Sequence, residues 1–166
     1  MITLRPDGPK VAVTASASWS TPSASLFLAS FENVIFLVGS SNHHFLNQTI
    51  LEGINLNVIP LKKIMDYLSK RTIKKFICFT TILLYGDETH QREVDEKKII
   101  LPYQNEYIFS KYLSEKIVKF YSKNVPSIIL RCSNIYGPTK LVRPDIVPTL
   151  IQKCLTSSDI SVWNTA

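Results

Sequence analysis

The chain has 166 residues, 45% of them hydrophobic, with a formal net charge of +6. This suits one globular domain with a sizeable core, or a piece of a larger one. No apolar run approaches the roughly 20 residues of a membrane helix, no basic region leads into a long apolar block as in a signal peptide, and Cys78, Cys132 and Cys154 form no CxxC pair or metal-ligand spacing. A sparse, odd cysteine count fits a reducing compartment, so a cytoplasmic chain with no membrane partner and no metal is expected.

Residues 1 to 10 read as an irregular leader, followed by a short strand over Lys10–Thr14. The small residues from Ala15 to Ser23 read as a loop, and Ser25–Phe31 as a short helix. The apolar run Asn33–Val38 ends at Gly39 and fits a strand buried on both faces. Leu51, Ile54, Val58, Leu61, Met65 and Leu68 recur at steps of three and four, a helical stripe in which Pro60 should introduce a kink. Lys75–Thr80 is the next buried strand, and Asp87–Lys98 a polar loop. A helix is expected from about Tyr103 to Lys123, with Leu113, Ile117 and Phe120 on its buried face. Pro126–Arg131 reads as a strand, Asp145–Cys154 as a helix and Ile160–Trp163 as a last strand.

Strands alternating with helices of this length imply crossover units and a parallel α/β sheet. Ligands of such sheets sit outside the carboxyl ends of the strands, where Gly39, Thr80-Thr81 and Ser133-Asn134 lie. The basic cluster Lys62, Lys63, Lys70, Arg71, Lys74 and Lys75 reads as a solvated helix face and turn. It lacks the interleaved aromatics of a nucleic-acid surface, so no nucleic-acid partner is expected. Histidines 43, 44 and 90 show no metal-ligand spacing.

Tyr107 and Lys111 stand four residues apart, on one helix face. An ammonium beside a phenol favours the phenolate, which should bring the tyrosine down from about 10 toward neutrality. A hydroxyl from a strand end, Thr81, could then hold a substrate oxygen against it. Read singly, each has a plainer role: Tyr107 a helix aromatic at the core edge, Lys111 its solvated neighbour, Thr81 a strand end, Asn134 a turn residue.

Four stretches in order resemble the extended short-chain dehydrogenase/reductases, the NAD-dependent epimerases and dehydratases of sugar nucleotides. Val34–Gly39 resembles the family's fourth strand, and Phe76–Gly86 its fifth strand with the Ser-Ser-x-x-x-Tyr-Gly signature. Tyr107 and Lys111 match the Tyr-x-x-x-Lys pair, and Leu130–Pro138 resembles Leu-Arg-x-x-Asn-x-Tyr-Gly-Pro. The resemblance implies a Rossmann-like parallel sheet flanked by helices, incomplete relative to the family, and an NAD(P)-dependent oxidoreductase acting on a nucleotide sugar. Thr81, Tyr107 and Lys111 are then the catalytic triplet. Leu37, Val38, Gly39, Asn55, Thr80, Tyr107, Lys111 and Cys132 would contact NAD or NADP, and Thr81 and Asn134 the substrate.

Glycines occur only at 8, 39, 53, 86 and 137, so the glycine-rich turn that admits a pyrophosphate is absent. Val11–Trp19 resembles its surroundings, with Ala15, Ser18 and Thr21 where glycines would stand, and weak dinucleotide binding is expected. The interval before Asn33 is also too short for the two strands that carry the family's ribose-reading acid. Residues 1–32 therefore read as an atypical N-terminal segment. Residues 33–166 read as a Rossmann-like epimerase/dehydratase domain whose substrate domain is mostly missing. A truncated, non-catalytic remnant acting as an interaction module is the alternative. Without its usual neighbours the strand 34–38 should expose an apolar edge, which predicts self-association to a homodimer.

Overall fold

Four strands run parallel, side by side in chain order: β1 (Val11–Thr14), β2 (Asn33–Phe36), β3 (Lys75–Thr81) and β4 (Ser127–Cys132). The computed structural model describes residues 11–14, 31–39, 50–90, 95–97, 105–137 and 146–156. The chain divides into two compact units, Met1–Cys132 and Ser133–Ala166.

In the first unit the pairing aligns Val11 with Asn33, Asn33 with Lys75, and Phe76 with Ser127. A parallel ladder needs a crossover between successive strands. After β2 the crossover contains α1 (Ile50–Gly53), a π-helical turn (Ile54–Val58) and α2 (Ile59–Leu68). After β3 a 3₁₀ segment (Ile82–His90) precedes α3 (Glu106–Tyr121), which leads into β4. The 3₁₀ segment occupies the start of the stretch expected to be a polar loop. β2 is paired on both sides, by β1 and β3, so the free apolar edge expected at this strand does not exist.

The core lies between one face of the sheet and helices α2 and α3. Strand alternation puts Val34, Phe36, Phe76 and Cys78 on that face, where they meet Leu61, Ile64, Met65 and Leu68 of α2 and Val118 of α3. Ile35, Ile77 and Phe79 alternate onto the opposite face and are half-buried, while Ile128 and Leu130 there are exposed.

Two helical stripes depart from their expected phase. Val58, Leu61, Met65 and Leu68 are buried, but Leu51 is 64% exposed. The intervening π turn holds more residues per turn than an α-helix, and this rotates the earlier residues off the stripe. Pro60 is the second residue of α2, in the first helical turn where a missing N–H is tolerated. On α3, Phe120 is 79% exposed rather than buried. The buried face carries Tyr107, Ile108, Ser110, Ser114, Glu115 and Val118 instead. Asn105 caps this helix, its side-chain oxygen accepting from the Ile108 N–H at 2.8 Å.

The basic cluster is exposed. Lys62 pairs with Asp66 at 2.5 Å, Lys74 with Glu32 at 2.6 Å, and Arg71 lies 4.4 Å over the Tyr67 ring. The second unit contains α4 (Ile146–Leu155), on which Ile146, Leu150, Ile151 and Leu155 are exposed. Among the described residues no helix is long and apolar enough to cross a membrane. The leader, the loop from Ala15, His43, His44, the strand expected at Ile160–Trp163 and all of the helix expected at Ser25–Phe31 but Phe31, which is not helical, lie outside the described residues.

The packing predicts unequal costs for two phenylalanines. Phe76→Ala removes a fully buried ring and should destabilise the fold by about 3–5 kcal/mol. Phe120→Ala should stay within about 0.5 kcal/mol of the parent, as at other exposed positions. Urea denaturation of both variants checks this.

Candidate active site

The carboxyl end of β3 and the first two turns of α3 build the site. Thr80 and Thr81 close β3, and both are buried. Tyr107 and Lys111 project from the same face of α3, and the Lys111 Nζ lies 5.8 Å from the centre of the Tyr107 ring. The Tyr107 phenol is hydrogen-bonded to Thr81, whose Oγ1 also accepts from the Leu83 N–H at 3.3 Å. Thr81, Tyr107 and Lys111 are therefore neighbours at the end of β3.

Its electrostatics differ from the expectation. Burial pushes the Tyr107 phenol above its ordinary value. The bond to Thr81 opposes that shift and the nearby Cys132 thiol adds to it. Lys111 is turned toward the end of β3, donating to the Phe79 carbonyl at 3.4 Å, and burial lowers its pKa below the ordinary lysine range. Desolvation thus dominates both groups, and Lys111 does not bring the phenol toward neutrality in this arrangement.

Gly39 enters the site from the end of β2. Its φ is +147°, and a Cβ there would stand 2.7 Å from Asn57 Oδ1 and 3.4 Å from Lys111 Nζ. Val38 is buried in the core and Leu37 is 48% exposed. Of the two asparagines on the π turn, Asn55 is exposed and Asn57 is buried. Asn57 donates to Ser110 Oγ at 2.8 Å, and its carbonyl accepts from Ser114 at 3.4 Å. Sequence reasoning singled out Asn55 and missed Asn57, since the π turn that selects between them has no signature in a regular helical stripe. Cys132, paired in register with Thr81, ends β4 near the phenol. Asn134 belongs to the second unit and is exposed.

A buried polar cluster adjoins these groups. Glu115, 1% exposed, accepts from Thr80 Oγ1 at 2.9 Å and from Arg131 Nε and Nη2 at 2.8 and 2.7 Å. Burial raises the carboxyl's pKa, but the bonds from Arg131 and Thr80 outweigh it and hold Glu115 below the usual carboxylate range.

Such a site can pass a proton between a phenol and a hydroxyl in a desolvated setting. Residues 20–166 match the model of the NAD dependent epimerase/dehydratase family. The chain belongs to this family.

Within the family, the chain is 29% identical over 121 residues to dTDP-D-glucose 4,6-dehydratase of Dictyostelium discoideum, a match covering 66% of this chain and 27% of that protein. It superposes on UDP-glucuronic acid 4-epimerase from Bacillus cereus with a TM-score of 0.70 at 23% identity, covering 85% of this chain and 45% of the other. It superposes equally, at 0.70 and 20% identity, on UDP-N-acetylglucosamine 4-epimerase from Methanobrevibacter ruminantium M1, covering 81% and 44%. The matches span about a quarter of the curated relative and under half of these solved chains. The shared fold is a Rossmann-like parallel sheet flanked by helices.

Gly39 offers a direct check on this packing. Gly39→Ala places a side chain in the left-handed region and against Asn57 Oδ1, so it should destabilise the fold by about 1–3 kcal/mol. Equilibrium unfolding in urea measures the loss.

Proposed function

We propose that this chain carries the proton-transfer part of an NAD(P)-linked oxidoreductase site for a nucleotide sugar. The observation that supports this reading best is the Tyr107–Thr81 hydrogen bond at the end of β3, with Lys111 against the same ring. Tyr107 would take the proton of a sugar hydroxyl through its phenolic oxygen. Thr81 would hold that oxygen in line, and the acceptor would be the ionised form of the Tyr107 phenol, with Lys111 the cation beside it.

The residues present fit a dinucleotide on the nicotinamide side. Gly39 leaves its backbone bare beside Lys111, and Tyr107, Lys111 and Cys132 would offer phenol, ammonium and thiol groups to the dinucleotide, while the Thr80 hydroxyl is held by Glu115. Bound NAD or NADP would supply the acceptor for the hydride leaving the sugar carbon. Leu37 is exposed at the end of β2, whereas Val38 packs into the core and Asn55 points to solvent. The sequence is poorer on the pyrophosphate side: by the resemblance, Ala15, Ser18 and Thr21 stand where a glycine-rich turn would be expected. Weak cofactor affinity in this chain follows.

Calorimetry should give a NAD dissociation constant weaker than about 100 μM, well short of the micromolar affinity worth about 8.2 kcal/mol. Ala15→Gly/Ser18→Gly/Thr21→Gly should tighten it at least tenfold, about 1.4 kcal/mol. With that variant at saturating NAD, a nucleotide sugar should yield NADH, and Tyr107→Phe should cut the rate by at least about 100-fold. Undiminished turnover in Tyr107→Phe would overturn the assignment.

A further inference from the structure

Every side-chain nitrogen of Arg131 already makes a hydrogen bond within the protein. Its Nε and Nη2 fork onto the two oxygens of Glu115, and Nη1 donates to the Glu96 carbonyl at 3.2 Å. The guanidinium also lies 4.7 Å over the ring of Tyr85 in the 3₁₀ segment. An open groove of about 460 Å³ lies beside it.

One carboxylate and one guanidinium thus join four pieces of the first unit: α3 through Glu115, β4 through Arg131, the 3₁₀ segment through Tyr85 and the 95–97 turn through Glu96. The register brings β3 into the same cluster. Thr80 sits directly opposite Arg131, and both donate to Glu115 Oε1. Glu115 follows Lys111 by one helical turn and Tyr107 by two, so it shares their face of α3. Thr80 immediately precedes Thr81. The cluster therefore spans the two backbone segments whose relative placement sets the Tyr107–Thr81 contact.

Stability alone gives a weak reason for such a pair. A buried ion pair replaced by apolar groups of similar volume is often as stable or more so. What apolar groups cannot reproduce is direction: a bidentate fork fixes both distance and rotation. We infer that Glu115 and Arg131, with Thr80, are positioning residues that fix the rotation of α3 on the sheet and so hold Tyr107 and Lys111 against the end of β3. This inference rests on the proton-transfer reading of Tyr107 only for its functional meaning.

The test replaces the cluster with apolar groups: Thr80→Val/Glu115→Leu/Arg131→Met, a change that removes one anion and one cation. The pH titration of Lys111 is followed by NMR in protein carrying ¹³Cε-lysine, with Lys111→Met assigning the signal. Melting temperature is recorded for each protein. If the cluster positions α3, the variant melts within a few degrees of the parent, yet Lys111 moves back toward the ordinary lysine range by about one pH unit, a tenfold change. An unchanged Lys111 titration at an unchanged melting temperature overturns the inference, because a merely structural pair would leave the site in place. Should the triple variant not fold, Arg131→Lys keeps the charge but loses the fork. A smaller shift of Lys111 in the same direction supports the inference, and no shift overturns it. No dinucleotide is present, so a chain that fails to bind NAD sinks the preceding reading and still answers this one.

Discussion

Helix α3 meets the sheet through a buried polar seam. Ser110 and Ser114 bond to Asn57 of the π turn, Glu115 bonds to β3 and β4, and Tyr107 bonds to the last residue of β3. Each of these groups is shielded from water, where an unmade hydrogen bond costs about 1–3 kcal/mol. The helix can satisfy all of them in only one rotational setting. That setting also turns Tyr107 and Lys111 toward Thr81 and Gly39, so the geometry of the site follows from satisfying the seam.

Parallel register supplies the other half. Because β2, β3 and β4 run in one direction, their carboxyl ends lie together, and Gly39, Thr81 and Cys132 arrive at one end of the sheet without long connections. Membership of the epimerase/dehydratase family agrees with this architecture. The chain nevertheless spans less than half of the solved relatives.

Much of the frame was legible in the sequence. Continuous apolar runs marked β2, β3 and β4 to within two residues at each end, and Tyr107, Lys111 and Thr81 stood at spacings that their elements bring together. Three features were not legible, each for a physical reason. Apolar periodicity put Phe120 inside because it weighs only hydrophobic residues, whereas α3 buries two serines and a glutamate that find partners. A regular helical stripe cannot register a π turn, so Asn55 stood in for Asn57. Pairwise charge reasoning lowered the Tyr107 phenol, but the side chain's environment is set first by burial, which depends on tertiary contacts that spacing does not contain.

The most direct test of this account is the titration of the Tyr107 phenol, followed by NMR in protein carrying ¹³Cζ-tyrosine with Tyr107→Phe assigning the signal. A phenol that titrates above the ordinary value of about 10, and higher still in Thr81→Val, is the result expected of a buried ring held by the Thr81 hydroxyl. A phenol that titrates like an exposed tyrosine and ignores Thr81→Val would contradict it.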